Sequence, residues 1–443
     1  MNEADRSRAQ FPAAGESAIA RMPSSDQSRN STVLFLLALL VLAALPFGAA
    51  SAQEALSLSG YGRSKVGAML DDGSLFMLEN TLDLQAGWDL GSGAVFADLA
   101  LVEREGAAAT FELRELYLEY LGEAFDLRIG KQQVIWGKSD GVFITDLVSP
   151  KDLSRFLVPD FVELRRAVTG VRANGYLGNH SLDLVWVPLF SPTILPAGDS
   201  IWAASLPFPV VPTIDPAVVP ELSLENGEYF AKYSYLGSSI DLSLMGGWFW
   251  NDTPAFRVTG KTFTAPPNPQ LASLDLQGEY YQSAAFGYGV AATVGPLVLR
   301  SEGAITMDRR YQGDFMVYPT GYTEKHGIQY LVGTDFSILG TTFGLQFIQD
   351  IILDHESALM NDEFTNTATI AMVRTFARET VRLEMLAYVG MAEPDALLKT
   401  QLVWKMTDAF ELSGGAWLFF GEEGQFGQYD GNDSVFAGAK VSF

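Results

Sequence analysis

The segment DALLKTQLVWKMT, residues 395–407, decides the fold class because its side chains alternate between two chemical types. The apolar members of one parity are Leu398, Leu402, Trp404 and Met406. The polar members of the other parity are Lys399, Gln401 and Lys405. Successive side chains of a β-strand point to opposite faces of the sheet, so the pattern predicts a strand with one apolar and one polar face.

The same alternation recurs along the chain. In residues 296–311, apolar side chains such as Leu297 and Leu299 oppose Arg300 and Glu302. Such segments predict eighteen strands, near 55–70, 75–89, 93–104, 110–121, 125–136, 166–176, 180–189, 227–236, 238–251, 280–294, 296–311, 325–336, 340–352, 364–376, 378–391, 395–407, 409–420 and 433–443.

The lengths of the connections decide what the apolar faces contact. Every second connection is tight, as at residues 90–92, 122–124 and 337–339. The others are often long: 137–165, 190–226, 252–279, 312–324, 353–363 and 421–432. Short turns that alternate with long loops are typical of outer-membrane barrels, whereas a soluble β-sandwich has no reason to keep this rhythm. The sequence therefore predicts an all-β, transmembrane, antiparallel up-and-down barrel of about 18 strands, with 16 as the alternative.

Two predicted strands break the alternation. In 110–121, Phe111 and Leu113 share one parity and Leu116 shares the other, which predicts a bulge near Arg114 and Glu115. The strand at 125–136 is also irregular, because Lys131 falls on the apolar parity.

Both ends of the chain carry signals of export. Residues 33–45, VLFLLALLVLAAL, are apolar and followed by Ala50-Ser51-Ala52, which predicts a signal peptide cleaved before Gln53. Thirteen residues are too few to cross a hydrocarbon core of about 30 Å as a helix. The last strand ends on Phe443, and it resembles the recognition signal of the barrel-assembly machinery. Two parts are thus predicted: an N-terminal extension with signal peptide at 1–52 and a barrel at 53–443.

Composition excludes several classes of function. The net charge of −24 argues against binding nucleic acid and against docking on anionic lipid. The absence of cysteine excludes disulfides and thiolate chemistry. The three histidines lie far apart, no HExxH motif occurs, and Gly137–Gly141 matches GxSxG without the strand–turn–helix context of a nucleophile elbow. The sequence therefore predicts no enzyme, no cofactor and no metal site.

Strand parity predicts a charged lumen. The inward set, expected to line or constrict a pore, is Arg63, Lys65, Glu79, Asp83, Arg300, Glu302, Arg382, Glu384, Lys399, Lys405 and Lys440. These side chains could filter ions by their local field, or they could neutralise one another across neighbouring strands.

Other segments add two expectations. The predicted loop at 137–165 is either folded inward to narrow a pore or solvated outside, and its candidate residues, with the strand end before it, are Trp136, Lys138, Asp140, Asp152 and Arg155. Aromatic residues at strand ends, such as Trp248, Phe249, Trp417, Phe419 and Phe420, are expected to form girdles at the lipid headgroups.

One segment resembles a known family. Residues 127–155 match the pattern G-[RK]-Q-x-[VI]-x-W-G followed by [NS]-P-x-D-L-[SR], through Gly130, Lys131, Gln132, Val134, Trp136, Gly137, Ser149, Pro150, Asp152, Leu153 and Ser154. The pattern resembles that of a broad, uncharacterised family of porin-like Gram-negative outer-membrane proteins, catalogued as a domain of unknown function. Members usually carry Asn where this chain has Ser149. The resemblance implies a barrel in the outer membrane and little about substrate.

Together these features predict a porin-like channel that passes small solutes through a charged, loop-constricted lumen. Two alternatives remain open: a component of an export or envelope-assembly system gated by a periplasmic partner, and a surface binding or structural barrel with a plugged lumen. The expected partners are outer-membrane lipid, lipopolysaccharide, the assembly machinery and an unidentified solute. The protein is expected to be a monomer or a homotrimer.

Overall fold

The computed structural model describes residues 56–104, 107–139, 141–204, 208 and 210–443. The predicted signal peptide at 1–52, with Ala50, Ala52 and Gln53, lies outside these residues, as does Asp140.

The segments in which apolar and polar side chains alternate form β-strands in the described chain. Eighteen strands of the described residues form one sheet: β1 (Leu56–Met69), β2 (Leu75–Asp89), β3 (Gly93–Arg104), β4 (Thr110–Leu121), β5 (Phe125–Gln132), β6 (Val168–Leu177), β7 (His180–Val187), β9 (Glu228–Leu236), β10 (Ile240–Trp250), β13 (Gln282–Val294), β14 (Leu297–Gln312), β15 (Tyr322–Ile338), β16 (Thr341–Ile352), β17 (Phe364–Phe376), β18 (Val381–Gly390), β19 (Ala396–Lys405), β20 (Phe410–Phe420) and β21 (Ser434–Ser442). Three further strands, β8 (Thr213–Val218), β11 (Ala255–Phe263) and β12 (Leu271–Glu279), form a separate small sheet.

The large sheet is closed. Each strand pairs antiparallel with the next, and β1 pairs with β21 from Tyr61↔Ser442 to Met69↔Ser434. Phe443 extends the seam, because its backbone N–H and carbonyl both bond to Gly60 at 3.0 Å. A closed sheet has no free edge, and the count over the described residues is eighteen rather than the alternative sixteen.

The outer face is apolar and the inner face is polar, as the alternation predicts. On β19, Leu402 and Trp404 are each nearly half exposed outward, whereas Lys399 points inward to the carbonyl of Leu157. No helix among the described residues is long and apolar enough to cross a membrane.

The two irregular strands differ in outcome. The bulge predicted near Arg114 and Glu115 is confirmed: Asp98 pairs with Glu115 and the next residue pairs with Leu113, so Arg114 is the extra residue. The strand predicted at 125–136 is too long, because β5 ends at Gln132. Apolar residues continue beyond this point, but Val134 and Trp136 take the parity opposite to Leu127 and Ile129 and are buried inside the barrel.

Two predicted loops contain structure that alternation does not reveal. β8 lies in 190–226, and β11 and β12 lie in 252–279; β12 pairs antiparallel with β11 and parallel with β8. The loop at 421–432 holds a short helix, α1 (Gly424–Gly427), and a 3-10 turn, Asp430–Asn432.

The prediction of aromatic girdles is wrong for several residues. Trp248 and Phe420 face outward and are about half exposed. Phe249, Trp417 and Phe419, on the opposite parity, are buried inside the barrel. At a strand end, aromatic neighbours of both parities occur together, and only one parity can face lipid.

Candidate functional site

Residues 133–167, called here the crossing loop, leave the wall after β5 and enter the lumen. Two loop side chains take the place of a neighbouring strand. The Ser149 hydroxyl accepts a hydrogen bond from the Val134 N–H and donates one to its carbonyl, both at 3.0 Å. One carboxylate oxygen of Asp146 accepts from the N–H groups of Trp136, at 2.7 Å, and Gly137, at 2.8 Å. The N–H groups of Val134, Trp136 and Gly137 are therefore satisfied by loop side chains rather than by a strand of the barrel wall.

Asp146 also organises the loop from within. Its second carboxylate oxygen accepts from Arg165, whose Nε lies 2.9 Å away. The guanidinium of Arg165 lies over the rings of Phe143 and Phe161, 5.0 and 4.5 Å from their centroids. These two rings stack at 4.2 Å. Both charges are buried, so separating them would leave an unpaired charge in the interior. The ion pair therefore stabilises the observed loop conformation.

One anchor of the crossing loop lies on β1 and β2. Arg155 donates to Glu79 at 2.8 Å, and Glu163 accepts from Arg63 at 2.6 Å. Arg63 also reaches Glu79 at 3.3 Å, and Arg104 reaches it at 3.2 Å. Glu79 is 4% exposed and thus holds three arginines in a buried network.

A second anchor lies on β14. The buried Glu302 carboxylate accepts from the Ser139 hydroxyl at 2.8 Å, the Lys138 N–H at 3.2 Å and the Thr145 hydroxyl at 3.3 Å. All three donors belong to the crossing loop, and Ser139 is the serine of the GxSxG match. Its hydroxyl also donates to the Val142 carbonyl.

The two anchors lie on opposite sides of the barrel. In the ring of eighteen described strands, β14 is the ninth strand from β2 in either direction. The crossing loop therefore spans a full diameter of the lumen.

A third contact is with β18 and β19. The Tyr388 hydroxyl donates to the Gly141 carbonyl at 2.9 Å, and Lys399 donates to the carbonyls of Leu157 and Pro159. Nearby, a buried aromatic cluster brings together three long connections and the wall. Its buried members are Met77, Val158, Trp202, Tyr388, Leu397, Trp417, Phe419, Phe426, Tyr429 and Phe436. This side of the lumen is filled with apolar side chains.

Cavities remain beside the crossing loop. One of about 560 Å³ is lined by residues of β1 to β4 and by Arg155, Glu163 and Arg166. A second, of about 510 Å³, lies between the loop and β14 to β16. A third, of about 300 Å³, adjoins Lys138 and Glu302. The loop thus divides the lumen without filling it.

Burial and neighbouring charges shift the pKa of three ionisable groups in the connections between strands. Burial alone would raise the pKa of Glu163, but the Arg63 guanidinium outweighs it and lowers this pKa to about 2. Burial raises the pKa of Asp252, in the connection after β10, to about 6 against the nearby charges of Lys151 and Arg166. Burial also lowers the pKa of Lys151, whose ammonium donates to two loop carbonyls.

The structure divides the predicted lumen residues into two groups. One group touches the crossing loop: Arg63, Glu79, Glu302 and Lys399 as above, Lys65 through Asp160 at 3.8 Å, and Arg300 through the Lys138 carbonyl at 3.3 Å. The other group points inward without a described contact to it: Asp83 bonds Arg114 at 2.6 Å, Arg382 bonds Glu384 at 3.1 Å, Lys405 lies 3.8 Å from Glu411, and Lys440 lies over the Tyr61 ring.

The candidate residues in and beside the predicted loop have mainly structural contacts. The Trp136 indole donates to Asp183 on β7 at 2.9 Å. The Lys138 ammonium lies 3.9 Å from Asp241. Asp152 accepts from the Ser154 N–H at 3.0 Å, a local turn that shapes the loop. Of these residues, Arg155 makes the contact with Glu79 on β2, on the side of the barrel opposite β14.

The central ion pair of the loop, Asp146 and Arg165, was not among the predicted site residues. Two opposite charges in a loop rich in charged residues give no distinctive signal by spacing. Tyr388 and Trp202 were also missed, because inward aromatic residues look like girdle residues in sequence. Among the described residues, no three His, Asp or Glu side chains gather as a metal site would require.

Comparison with solved structures supports the fold. The chain is similar to Pseudomonas aeruginosa OccD3 (OpdP), with 10% identity and a TM-score of 0.52. This match covers 88% of this chain and 91% of OccD3. The chain is also similar to Pseudomonas aeruginosa OccK5 (OpdH), with 10% identity and a TM-score of 0.50. This match covers 89% of this chain and 99% of OccK5.

No curated protein matches the sequence. A family model described as "Protein of unknown function (DUF1302)" matches residues 102–443, which include the strand–loop pattern around Trp136 and Ser149. The match covers most of the barrel, and the chain belongs to this family.

Proposed function

We propose that the protein is an outer-membrane, porin-like channel through which small solutes diffuse beside the crossing loop. The role is non-catalytic. The observation that carries the proposal is the full-diameter span of the loop, anchored at Glu79 on one wall and Glu302 on the other. A segment in this position sets the cross-section of any path along the barrel axis, because solutes pass between it and the wall.

The outer apolar face supports a membrane location. Side chains such as Leu402 and Trp404 are exposed outward around a wet, charged interior, and this arrangement is stable only when lipid covers the outside. In this proposal the short turns face the periplasm, the long loops face outward, and lipid and lipopolysaccharide surround the wall. The assembly machinery recognises the strand that ends at Phe443. One or three copies form the functional unit.

Charges beside the remaining cavities support selectivity. The network around Glu79 is nearly neutralised internally, whereas Arg382 and Lys405 lie half exposed at the short-turn end of the lumen. An entering ion therefore experiences the short-turn charges more strongly than the neutralised network. We expect Arg382, Lys399 and Lys405 to favour anions.

The test is single-channel conductance of the refolded mature protein, residues 53–443, in a planar bilayer with a salt gradient. The expected result is stable current steps with a reversal potential of anion preference. Reversing the charge at Lys405 or Arg382 should shift that potential toward cations, with unchanged electrophoretic mobility of the folded barrel as the control. Silence from correctly folded protein would overturn the open-channel proposal.

A second candidate is a gated export component, and the aromatic cluster favours it. The cluster around Trp202, Phe419 and Tyr429 fills one side of the lumen with apolar side chains, as a closed resting state would. A channel that conducts only after a periplasmic partner is added would support this candidate. A barrel that stays silent with every envelope fraction would favour a plugged surface protein.

A further inference from the structure

The barrel wall is incomplete between β4 and β5. β4 pairs with β3 over ten residue pairs, from Gly93↔Tyr120 to Val102↔Thr110. It pairs with β5 over only six, from Leu116↔Lys131 to Leu121↔Asp126, the shortest ladder between neighbouring barrel strands of the described chain. Residues 110–115 therefore present a strand edge, on the order of 17 Å long, that has no strand beside it.

Three local features of the sequence cause this opening. The extra residue Arg114 bends β4 away from its partner. Gly130 has φ +137°, and a Cβ there would lie 2.3 Å from the Leu116 carbonyl oxygen. Only glycine at this position therefore lets β5 approach β4 so closely. Beyond Gln132 the chain turns inward, because Val134 and Trp136 bond to side chains of the crossing loop.

Side chains alone bridge the opening in the part of the chain that the structure describes. The Lys131 ammonium donates to the Leu113 carbonyl at 2.6 Å, and Glu115 accepts from the Gln133 N–H at 2.6 Å. A strand edge facing hydrocarbon is costly, since its unpaired amides find no water there. The edge therefore needs a polar partner that is compatible with lipid.

The cavity of about 560 Å³ beside the crossing loop extends to this opening. Its lining includes the lumen residues Arg63 and Glu79, and it also includes Phe111, Leu113 and Lys131 on the outward parity of the wall. Phe111 is 70% exposed on the outside. A cavity lined from both faces of a single-layered wall is the geometry that a passage between the lumen and the membrane requires.

Two cations at this passage form no close ion pair among the described residues. Arg63, Arg104, Arg114 and Arg155, deeper in the cavity, each bond a carboxylate. Lys131 and Arg166 bond only carbonyl oxygens, those of Leu113 and Pro192, and no carboxylate of the described residues lies within 4.0 Å of them. In a chain of net charge −24, two cations that hydrogen-bond only to carbonyls beside an apolar rim fit a ligand with an anionic head and an apolar tail.

We propose that the opening between β4 and β5 is a lateral portal for a single-chain anionic amphiphile. Lys131 and Arg166 bind the head, and the tail leaves past Phe111 and Leu113 into the outer leaflet. The inference goes beyond the proposed axial channel, since it concerns a path through the wall and a different class of molecule.

The first test is binding of dodecanoate to the full mature protein in phosphatidylcholine nanodiscs, with empty nanodiscs subtracted. Dodecyltrimethylammonium, with the same tail and a cationic head, is the matched probe and should not bind. The variant Lys131→Gln with Arg166→Gln should weaken dodecanoate binding at least about tenfold. Arg378→Gln, at an exposed arginine in the turn between β17 and β18, should leave it unchanged. Equal binding by the double variant, or equal binding of both probes, would overturn the proposal.

The second test seals the portal. Because the chain has no cysteine, Glu115→Cys with Gln133→Cys introduces the only thiols, which a short bismaleimide can bridge across the opening. Sealing should abolish release of lumen-loaded dodecanoate into the lipid while ion conductance persists. The control, Leu118→Cys with Ile129→Cys, bridges the paired part of the same hairpin and should not block release. Unchanged release after sealing would sink the portal.

A third outcome would also count against a portal. If mass spectrometry finds a lipid anion that co-purifies with wild type and is lost from the Lys131/Arg166 variant, the opening is a permanent lipid seat rather than a passage. These readouts do not depend on axial conductance, so a silent channel and a failed portal can be told apart.

Discussion

Ser149 closes a two-bond ring with the backbone of Val134, accepting from its N–H and donating to its carbonyl at 3.0 Å each. This hydroxyl thus provides the backbone hydrogen bonds that a neighbouring strand provides elsewhere in the wall. The family pattern usually has Asn here, and an amide side chain offers the same donor and acceptor on two atoms. The position therefore requires a side chain that both donates and accepts.

Replacing Ser149 by Ala should destabilise the protein by about 1–3 kcal/mol, since two buried backbone groups lose their partner. Ser149→Asn should stay within about 1 kcal/mol of wild type. Urea unfolding followed by tryptophan fluorescence measures both, with the exposed Ser57→Ala as the control. Equal stability of the Ala and wild-type proteins would show that the ring contributes nothing.

Glu302→Ala should release one end of the crossing loop, because Lys138, Ser139 and Thr145 lose their common acceptor. We expect a larger mean conductance and more frequent current fluctuations. Glu384→Ala is the matched control: it removes another inward carboxylate, which bonds Arg382 and has no described contact with the loop. Identical traces from the two variants would contradict the role of Glu302 as an anchor.

Acid should weaken the anchor on β1. The pKa of Glu163 is lowered to about 2 in the folded protein, below its ordinary value near 4.5. The stability this group contributes is therefore complete above pH 4.5 and is lost as the pH falls through about 2. Glu163→Gln should be less stable than wild type at pH 7 by on the order of 1–3 kcal/mol, and the difference should vanish near pH 2.

Unfolding midpoints measured from pH 7 to pH 2 test this expectation. Glu123→Gln, at the exposed turn between β4 and β5, controls for the general effect of removing one carboxylate. A difference for Glu163→Gln that stays constant across this range would exclude the Arg63 pair as its cause.

Asp252 should have the opposite pH dependence. Burial raises its pKa to about 6, so the folded protein favours the protonated carboxyl. Its contribution to stability is present below the ordinary value near 3.8 and is lost as the pH rises through about 6. Asp252→Asn should match wild type below pH 4 and be more stable above pH 6 by on the order of 1–3 kcal/mol. A variant that is less stable at pH 7 would mean that the charge of Asp252 is needed by Lys151 or Arg166.

Much of the barrel could be predicted from sequence, because strand parity is a local property. The alternation around Arg300 gives β14 to within one residue at each end, and the break at Arg114 gives the bulge. The end of β5 could not be predicted, since Val134 and Trp136 are apolar residues of the kind that strands contain, yet they bond to residues 10 to 15 positions away in the loop. β8, with Pro216 inside it, lacks alternation and was missed.

The candidate site was predictable only in part. Parity places Glu79 and Glu302 inward, and the structure agrees. Their partners could not be derived: Arg155 is 76 residues from Glu79, and Ser139 is 163 residues from Glu302. Such contacts depend on the path of a loop, which carries no periodic signal.

The diametric span of the crossing loop has a consequence for biogenesis. Its first anchor, Glu79, and the loop itself belong to the first six strands, whereas Glu302 belongs to the eleventh strand of the ring. A ring closed with too few or too many strands would move Glu302 away from Lys138, Ser139 and Thr145. The contact with the loop therefore favours closure at the circumference at which Phe443 meets Gly60.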